Sequence, residues 1–172
     1  MQLRERDLPT RELLTLAQDV RAVTEVSAVP LMINDRIDLV LALNLAGVHL
    51  RANSLPVSVT RRALGPGRII GVSAHAVDEA ARAGDEGADY VVFGPIFDTP
   101  SKRAFGSPLG LERLADACRR TRVPVLAIGG ITSGRVREIR DAGAHGVAVV
   151  GAILTRDDVG TATRELCDAV RA

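Results

Sequence analysis

Short runs of β-branched and apolar residues alternate with helix-period stripes along most of this chain. Gln2 to Arg4, Leu31 to Ile33, Gly47 to Leu50, Ile69 to Val72, Tyr90 to Phe93, Val123 to Ile128 and Gly146 to Val150 read as seven strands. Between them, Leu13, Leu16, Ala17, Val20 and Val23 mark one helical stripe, and Ile37, Val40, Leu41 and Asn44 begin another. Later stripes run through Leu111, Leu114 and Ala117, through Val136 and Ile139, and through Val159, Ala162, Leu166 and Ala169. Strict alternation of strand and helix predicts βα units and a parallel sheet.

Three helix exits share one grammar, a small residue and a glycine leading into a strand: Ala46-Gly47-Val48, Gly87-Ala88-Asp89-Tyr90 and Gly143-Ala144-His145-Gly146. Glycine accepts the left-handed backbone that ends a helix, so each recurrence predicts the same turn back to the sheet. The chain therefore reads as repeated βα modules in a single domain, 1–172. No GxGxxG follows the first strand, which favours an α/β TIM (β/α) barrel over a dinucleotide-binding sheet.

Composition narrows the function classes. Over 172 residues, 22 Lys and Arg face 21 Asp and Glu, so no broad field attracts nucleic acid and any anion site is local. Aromatic content of 2% argues against base-stacking platforms and leaves aliphatic residues to fill the interior. Cys118 and Cys167 lack metal-ligand spacing and are expected as reduced, packed thiols. A charged N-terminus without an apolar signal core, and no run long enough to cross a membrane, predict a cytoplasmic protein with no membrane or nucleic-acid partner.

In a parallel βα barrel, residues just past each strand converge on one face, where chemistry occurs. Here those positions are polar or glycine in nearly every unit: Gln2, Arg4 and Arg6; Asn34 and Asp35; His49, Arg51 and Ser54; Ser73 and His75; Gly94 to Pro108; Gly129 and Gly130; Gly151. Gly129-Gly130 after one strand and Val150-Gly151 after the next would let backbone amides approach a phosphate; alone, the glycine pair would mark only a tight turn. The segment from Gly94 to Lys102 reads as a lid whose Thr99, Ser101 and Lys102 can bind phosphate oxygens. Asp35 could hold a hard cation such as Mg²⁺ or simply cap a helix. His75, at a strand end, suits general acid/base work, whereas His49 reads as a core residue and His145 as a surface turn residue.

Gln-Leu-Arg-Glu-Arg at Gln2 to Arg6, Ile-Asn-Asp-Arg at Ile33 to Arg36, Gly-Val-His-Leu at Gly47 to Leu50, Gly-Val-Ser-Ala-His at Gly71 to His75, Gly-Pro-Ile-Phe-Asp-Thr-Pro-Ser-Lys at Gly94 to Lys102 and Ala-Ile-Gly-Gly-Ile at Ala127 to Ile131 occur in order. By these motifs the chain resembles the thiamine phosphate synthase/TenI family over nearly its whole length. The resemblance implies a TIM barrel and one of two chemistries. Synthases join hydroxymethylpyrimidine diphosphate to a thiazole phosphate with Mg²⁺ on the leaving diphosphate; TenI-type members aromatise a thiazole phosphate tautomer. It further implies that Gln2, Arg4, Arg6, Asn34 and Ser73 contact substrate, that Thr99, Ser101, Lys102, Gly129, Gly130, Val150 and Gly151 bind phosphate, and that Asp35 ligates Mg²⁺ if the chain is a synthase.

Departures from the pattern bear on the choice. The synthase's second Mg²⁺ carboxylate falls at Ser54, Arg6 stands where synthases usually have Lys, and Ser101 where they usually have Thr. A hydroxyl is a poor ligand for a hard dication. The expected activity is therefore a TenI-like thiazole tautomerase needing no cofactor, with His75 as proton shuttle. Mg²⁺-dependent thiamine phosphate synthase is the alternative, and a non-catalytic phosphate-binding or regulatory protein the second. Members of the family normally carry one βα unit before the Gln-x-Arg motif, so the first βα unit is read as missing. A homo-oligomer covering the open barrel edge is expected.

Overall fold

A computed structural model describes residues 1–99 and 107–171. Among them the elements follow as β1 (Gln2–Leu3), α1 (Thr10–Val26), β2 (Met32–Asn34), α2 (Ile37–Leu43), β3 (Gly47–Leu50), α3 (Val57–Leu64), β4 (Ile69–Ala74), α4 (Val77–Asp85), β5 (Tyr90–Phe93), α5 (Gly110–Arg120), β6 (Val125–Ile128), α6 (Val136–Asp141), β7 (Gly146–Ala148), α7 (Gly151–Leu154) and α8 (Val159–Arg171). Strand order in the sheet is the order of sequence, β1 to β7. The paired registers are parallel, as at Ile33 with Val48 and Val92 with Leu126. Sequential parallel strands with a helix in each crossover are the connectivity of a TIM-type (β/α) barrel, here with seven of its strands.

All seven expected strands are present, two of them, β3 and β5, at the expected bounds. β6 begins at Val125, after Pro124, whose nitrogen has no hydrogen to donate to a ladder. β7 ends at Ala148, so Val150 lies past the strand and directly before α7.

The described residues group into two compact units, Met1–Val72 with Glu86–Asp89, and Ser73–Asp85 with Tyr90–Ala172. In unit 1, α1 and α3 each start after a proline, Pro9 and Pro56, in extended conformation. The α1 stripe holds at Leu13 and Ala17 but fails at its end, and the α2 stripe is out of phase with the observed core. Thr24 is buried on α1 while Val23 is 68% exposed, and Leu39, Val40 and Leu43 are buried on α2 while Leu41 is 51% exposed. α2 carries aliphatic residues at most of its seven positions, so periodicity alone does not set its phase; it ends at Asn44 in the left-handed region. β3 is buried throughout and packs so closely on β4 that a Cβ at Gly47 would sit 1.9 Å from the Ile69 carbonyl oxygen.

In unit 2, β5 and β6 form an aliphatic core with Val91, Val92, Phe93, Val125 and Ala127 buried. A Cβ on Gly94 would lie 2.2 Å from the Ile128 carbonyl oxygen, so the chain leaving β5 runs hard against β6. The Glu79 carboxylate accepts the backbone amides of His75 (2.8 Å) and Ala76 (3.2 Å), satisfying donors that the start of α4 leaves open. Ala162 and Leu166 bury the inner face of α8, as its stripe predicts, while Val159 at its start is 43% exposed.

Candidate functional site

Unit 1 contains a cavity of about 300 Å³ lined by Arg4, Glu5, Arg6, Leu8, Leu13, Asn34, Asp35, Arg36 and Arg51. The chain reaches it from the ends of three neighbouring strands, β1, β2 and β3, which is why residues far apart in sequence face one space. Asn34 is buried at the end of β2 and its Oδ1 accepts the Gln2 amide at 2.6 Å. The two amides expected to contact substrate thus fix each other across β1 and β2.

Asp35 adopts a positive φ of 59° and turns the chain out of the sheet. Its backbone nitrogen donates to the His49 carbonyl at 3.1 Å. Its carboxylate caps no helix: the residue preceding α2 is Arg36, and α2 has no side-chain cap. One carboxylate oxygen instead accepts from the Arg51 Nε and the other from the Ser54 hydroxyl, while Ser54 Oγ receives the Arg51 backbone amide at 2.8 Å. Arg36 is held bidentately by Asp38, at 2.9 and 2.7 Å. Arg4 and Arg6 make no side-chain hydrogen bond or ion pair among the described residues. Burial lowers the Arg4 guanidinium from its ordinary value, and the positive charges of Arg6 and Arg51 push the same way against the pull of Asp35. The cavity is therefore an electropositive space short of anions.

His49, expected in the core, is 2% exposed. Desolvation pushes its pKa down to about 4, opposed by Asp35 and reinforced by Arg4, so the ring is neutral near pH 7.

Asp35 is the residue expected to hold Mg²⁺, but both its oxygens are engaged, one by a guanidinium. No group of three His, Cys, Asp or Glu side chains that could hold a metal occurs among the described residues. The residues present do not fit a protein-built dication site.

Unit 2 brings together His75 and the glycine turn expected to seat phosphate. His75 is exposed just past β4, and its Nδ1 lies 2.5 Å from the Gly94 carbonyl oxygen. The next residues, Pro95 to Asp98, pack on the turn after β6. Ile96 donates to Ile128 at 2.8 Å and Phe97 to Gly129 at 3.1 Å. Gly129 and Gly130 have φ of 98° and 65°; a Cβ would come within 2.6 Å of Pro95 at the first and within 2.6 Å of the Asp98 carbonyl at the second. Only glycine fits either position. Arg135 clamps the turn from behind, donating to the Gly130 carbonyl at 2.6 Å with its guanidinium carbon 4.3 Å from the Phe97 ring centre. Val150 and Gly151 are exposed where α7 begins. Ser73 lies on β4 and Thr99 is part-buried at the far end of the Gly94 segment. Ser101 and Lys102 lie outside the described residues. His145 is exposed, as expected.

A family model described as thiamine monophosphate synthase matches residues 1–153. The chain is 44% identical over 168 residues to the thiamine-phosphate synthase of Roseiflexus castenholzii, covering 98% of this chain and 74% of that one. It is 42% identical over 170 residues to the thiamine-phosphate synthase of Moorella thermoacetica, covering 99% and 81%. The chain belongs to the thiamine monophosphate synthase family. Its fold agrees with a solved thiamine phosphate pyrophosphorylase from Pyrococcus furiosus, with TM-score 0.90 and 34% identity over 99% of this chain and 81% of that one. As a member of this family it is an enzyme of thiamine biosynthesis.

These relatives overturn the expectation of a TenI-like tautomerase, since they carry the synthase name. The expectation rested on Ser54 replacing a Mg²⁺-ligating carboxylate, with Arg6 and Ser101 as further departures from the synthase pattern. In the structure Ser54 fixes Asp35, Asp35 fixes Arg51, and Arg4, Arg6 and Arg36 line the same space. Arg36 and Arg51 in unit 1, and Arg135 in unit 2, were not among the expected site residues. Arg51 directly follows β3, at the strand-end face, which was the signal for it; nothing in the sequence around Arg135 announces its contact with Gly130.

No helix among the described residues is long and apolar enough to cross a membrane.

Proposed function

We propose that this chain is a thiamine phosphate synthase, transferring hydroxymethylpyrimidine from its diphosphate to the ring nitrogen of a thiazole phosphate and releasing diphosphate. The observation that carries the reading is the arginine-lined cavity of unit 1, in which Arg4 and Arg6 have no ion pair among the described residues and suit a leaving group that gains negative charge as it departs. Gln2 and Asn34, hydrogen-bonded to each other, would orient the pyrimidine ring, and Arg4 and Arg6 would bind the diphosphate.

In unit 2, Gly129, Gly130, Val150 and Gly151 would offer backbone amides to the thiazole phosphate, with Ser73, Thr99, Ser101 and Lys102 adding hydroxyl and ammonium contacts. In the transfer the thiazole nitrogen lone pair forms the new C–N bond while the methylene C–O bond to diphosphate breaks. No proton leaves carbon, so the reaction asks no acid/base work of His75, whose ring is turned to the Gly94 carbonyl. Mg²⁺, implied by the family resemblance, would meet Asp35 with both oxygens engaged, and no step is drawn through it.

The test is product formation by the purified chain. Thiamine phosphate is expected only when both substrates are present. Arg4→Ala should lower kcat/KM by about 100-fold, the kinetic equivalent of about 2.7 kcal/mol. A folded wild-type chain that makes no thiamine phosphate would refute the proposal.

A further inference from the structure

We infer that unit 1 binds the substrate's diphosphate with arginines in place of a divalent cation, and that Arg51 is the residue that makes this possible. The inference deepens the transferase reading and rests on it.

The argument begins with Asp35. A carboxylate free to bind a hard cation needs a lone pair aimed at open space, and Mg²⁺ takes oxygen ligands in near-octahedral order. Here one oxygen of Asp35 accepts from Ser54 and the other from the Arg51 Nε. Ser54 is itself fixed by the Arg51 backbone amide at 2.8 Å, so residues 51 and 54 grip the carboxylate from a single turn. A cation entering this site would have to displace a guanidinium from its carboxylate, and the cavity's other acid, Glu5, is engaged through one oxygen by the backbone amides of Arg6 and Asp7.

The same arrangement makes Arg51 an anion receptor. Asp35 engages the Nε edge, and the two terminal nitrogens, with four N–H donors between them, make no hydrogen bond among the described residues. A guanidinium held along one edge presents the other in a fixed plane, the geometry that binds phosphate oxygens bidentately. Arg4 and Arg6 line the same cavity without ion pairs. Of the cavity's two acids, Asp35 is committed to Arg51, and Glu5 accepts the backbone amides of Arg6 and Asp7 at 2.6 and 3.0 Å. Three guanidiniums thus stand ready for an anion of about three charges, the size and charge of an organic diphosphate. Arg36 is discounted because Asp38 holds it bidentately, through Nε and one terminal nitrogen, and so neutralises its charge.

Calorimetric titration with inorganic diphosphate, in chelator and then in excess Mg²⁺, tests this directly. The expected result is binding in chelator that Mg²⁺ strengthens by less than about threefold. Arg51→Gly should weaken binding in chelator at least about tenfold, the loss of one charge-assisted bidentate contact. The double variant R51G/S54D, which frees Asp35 and adds a second carboxylate, should bind diphosphate only when Mg²⁺ is present. Thiamine phosphate formation, followed in parallel, separates the two ideas. Product and diphosphate binding that both require Mg²⁺ in the wild type would overturn the inference and leave the transferase reading intact. No product under either condition would overturn both.

Discussion

In unit 1 the polar groups lining the cavity are chiefly side chains: Arg4, Arg6 and Arg51 with Asp35 and Asn34, the last held by Gln2. In unit 2 the groups at the turn after β6 are main chain, the amides and carbonyls of Gly129 and Gly130 pressed against Pro95 to Asp98. The contrast teaches that the two kinds of proposed anion recognition respond differently to substitution. A guanidinium at the rim of a cavity can be removed with little cost to folding, because it is part-solvated and pairs weakly. A glycine turn cannot be changed without moving the backbone itself.

The largest expected effect follows from that difference. Gly130→Ala adds a Cβ at φ 65°, 2.6 Å from the Asp98 carbonyl oxygen and 2.8 Å from Phe97 Cβ. Left-handed strain of about 1–2 kcal/mol adds to overpacking of about 1–3 kcal/mol, so urea unfolding should show about 2–5 kcal/mol of lost stability. Arg4→Ala, damaging to catalysis, should stay within about 0.5 kcal/mol of wild type in the same experiment. Equal stability losses in the two variants would erase the contrast.

A second effect lies beneath the unit 1 cavity. His49 is neutral in the folded state, with its pKa pushed down to about 4, and regains the ordinary value near 6.5 when unfolded. Between those values the unfolded chain binds the proton and the folded chain does not, so stability falls as pH drops from about 6.5 towards 4. The loss attributable to His49 should reach about 3 kcal/mol by pH 4. His49→Gln should flatten the pH dependence of urea midpoints in this window. An unchanged slope would show that another group controls it.

The smallest effect concerns Arg135, whose side chain props the unit 2 turn. Arg135→Ala removes a hydrogen bond to the Gly130 carbonyl and a cation–π contact with Phe97, each partly exposed. About 1 kcal/mol of stability should be lost, read by urea unfolding. A loss as large as that of Gly130→Ala would mean that the turn depends on its clamp rather than on its own conformation.

The sequence made the strands legible because most are short apolar runs bounded by glycine or proline, and β3 and β5 were placed to the residue. It did not make the phase of α2 legible, since aliphatic residues surround that helix and no polar face orients it. Within the site, motif residues such as Asn34, Asp35, Gly129 and Gly130 stood out by type and position. The part of Arg51 did not, because it depends on a tertiary contact: only when β2 and β3 pair does Asp35 meet residues 51 and 54. Reading Ser54 as a lost ligand, without its neighbour's guanidinium in view, led to the wrong chemistry. Arg135 was missed for the same reason, since its partner carbonyl is met only through the fold of the turn.

Phosphorus NMR of the purified chain mixed with hydroxymethylpyrimidine diphosphate and thiazole phosphate tests the account most directly. It should show inorganic diphosphate and thiamine phosphate growing in equal amounts as both substrate signals decline. A chain that leaves the diphosphate ester intact while remaining folded would contradict it.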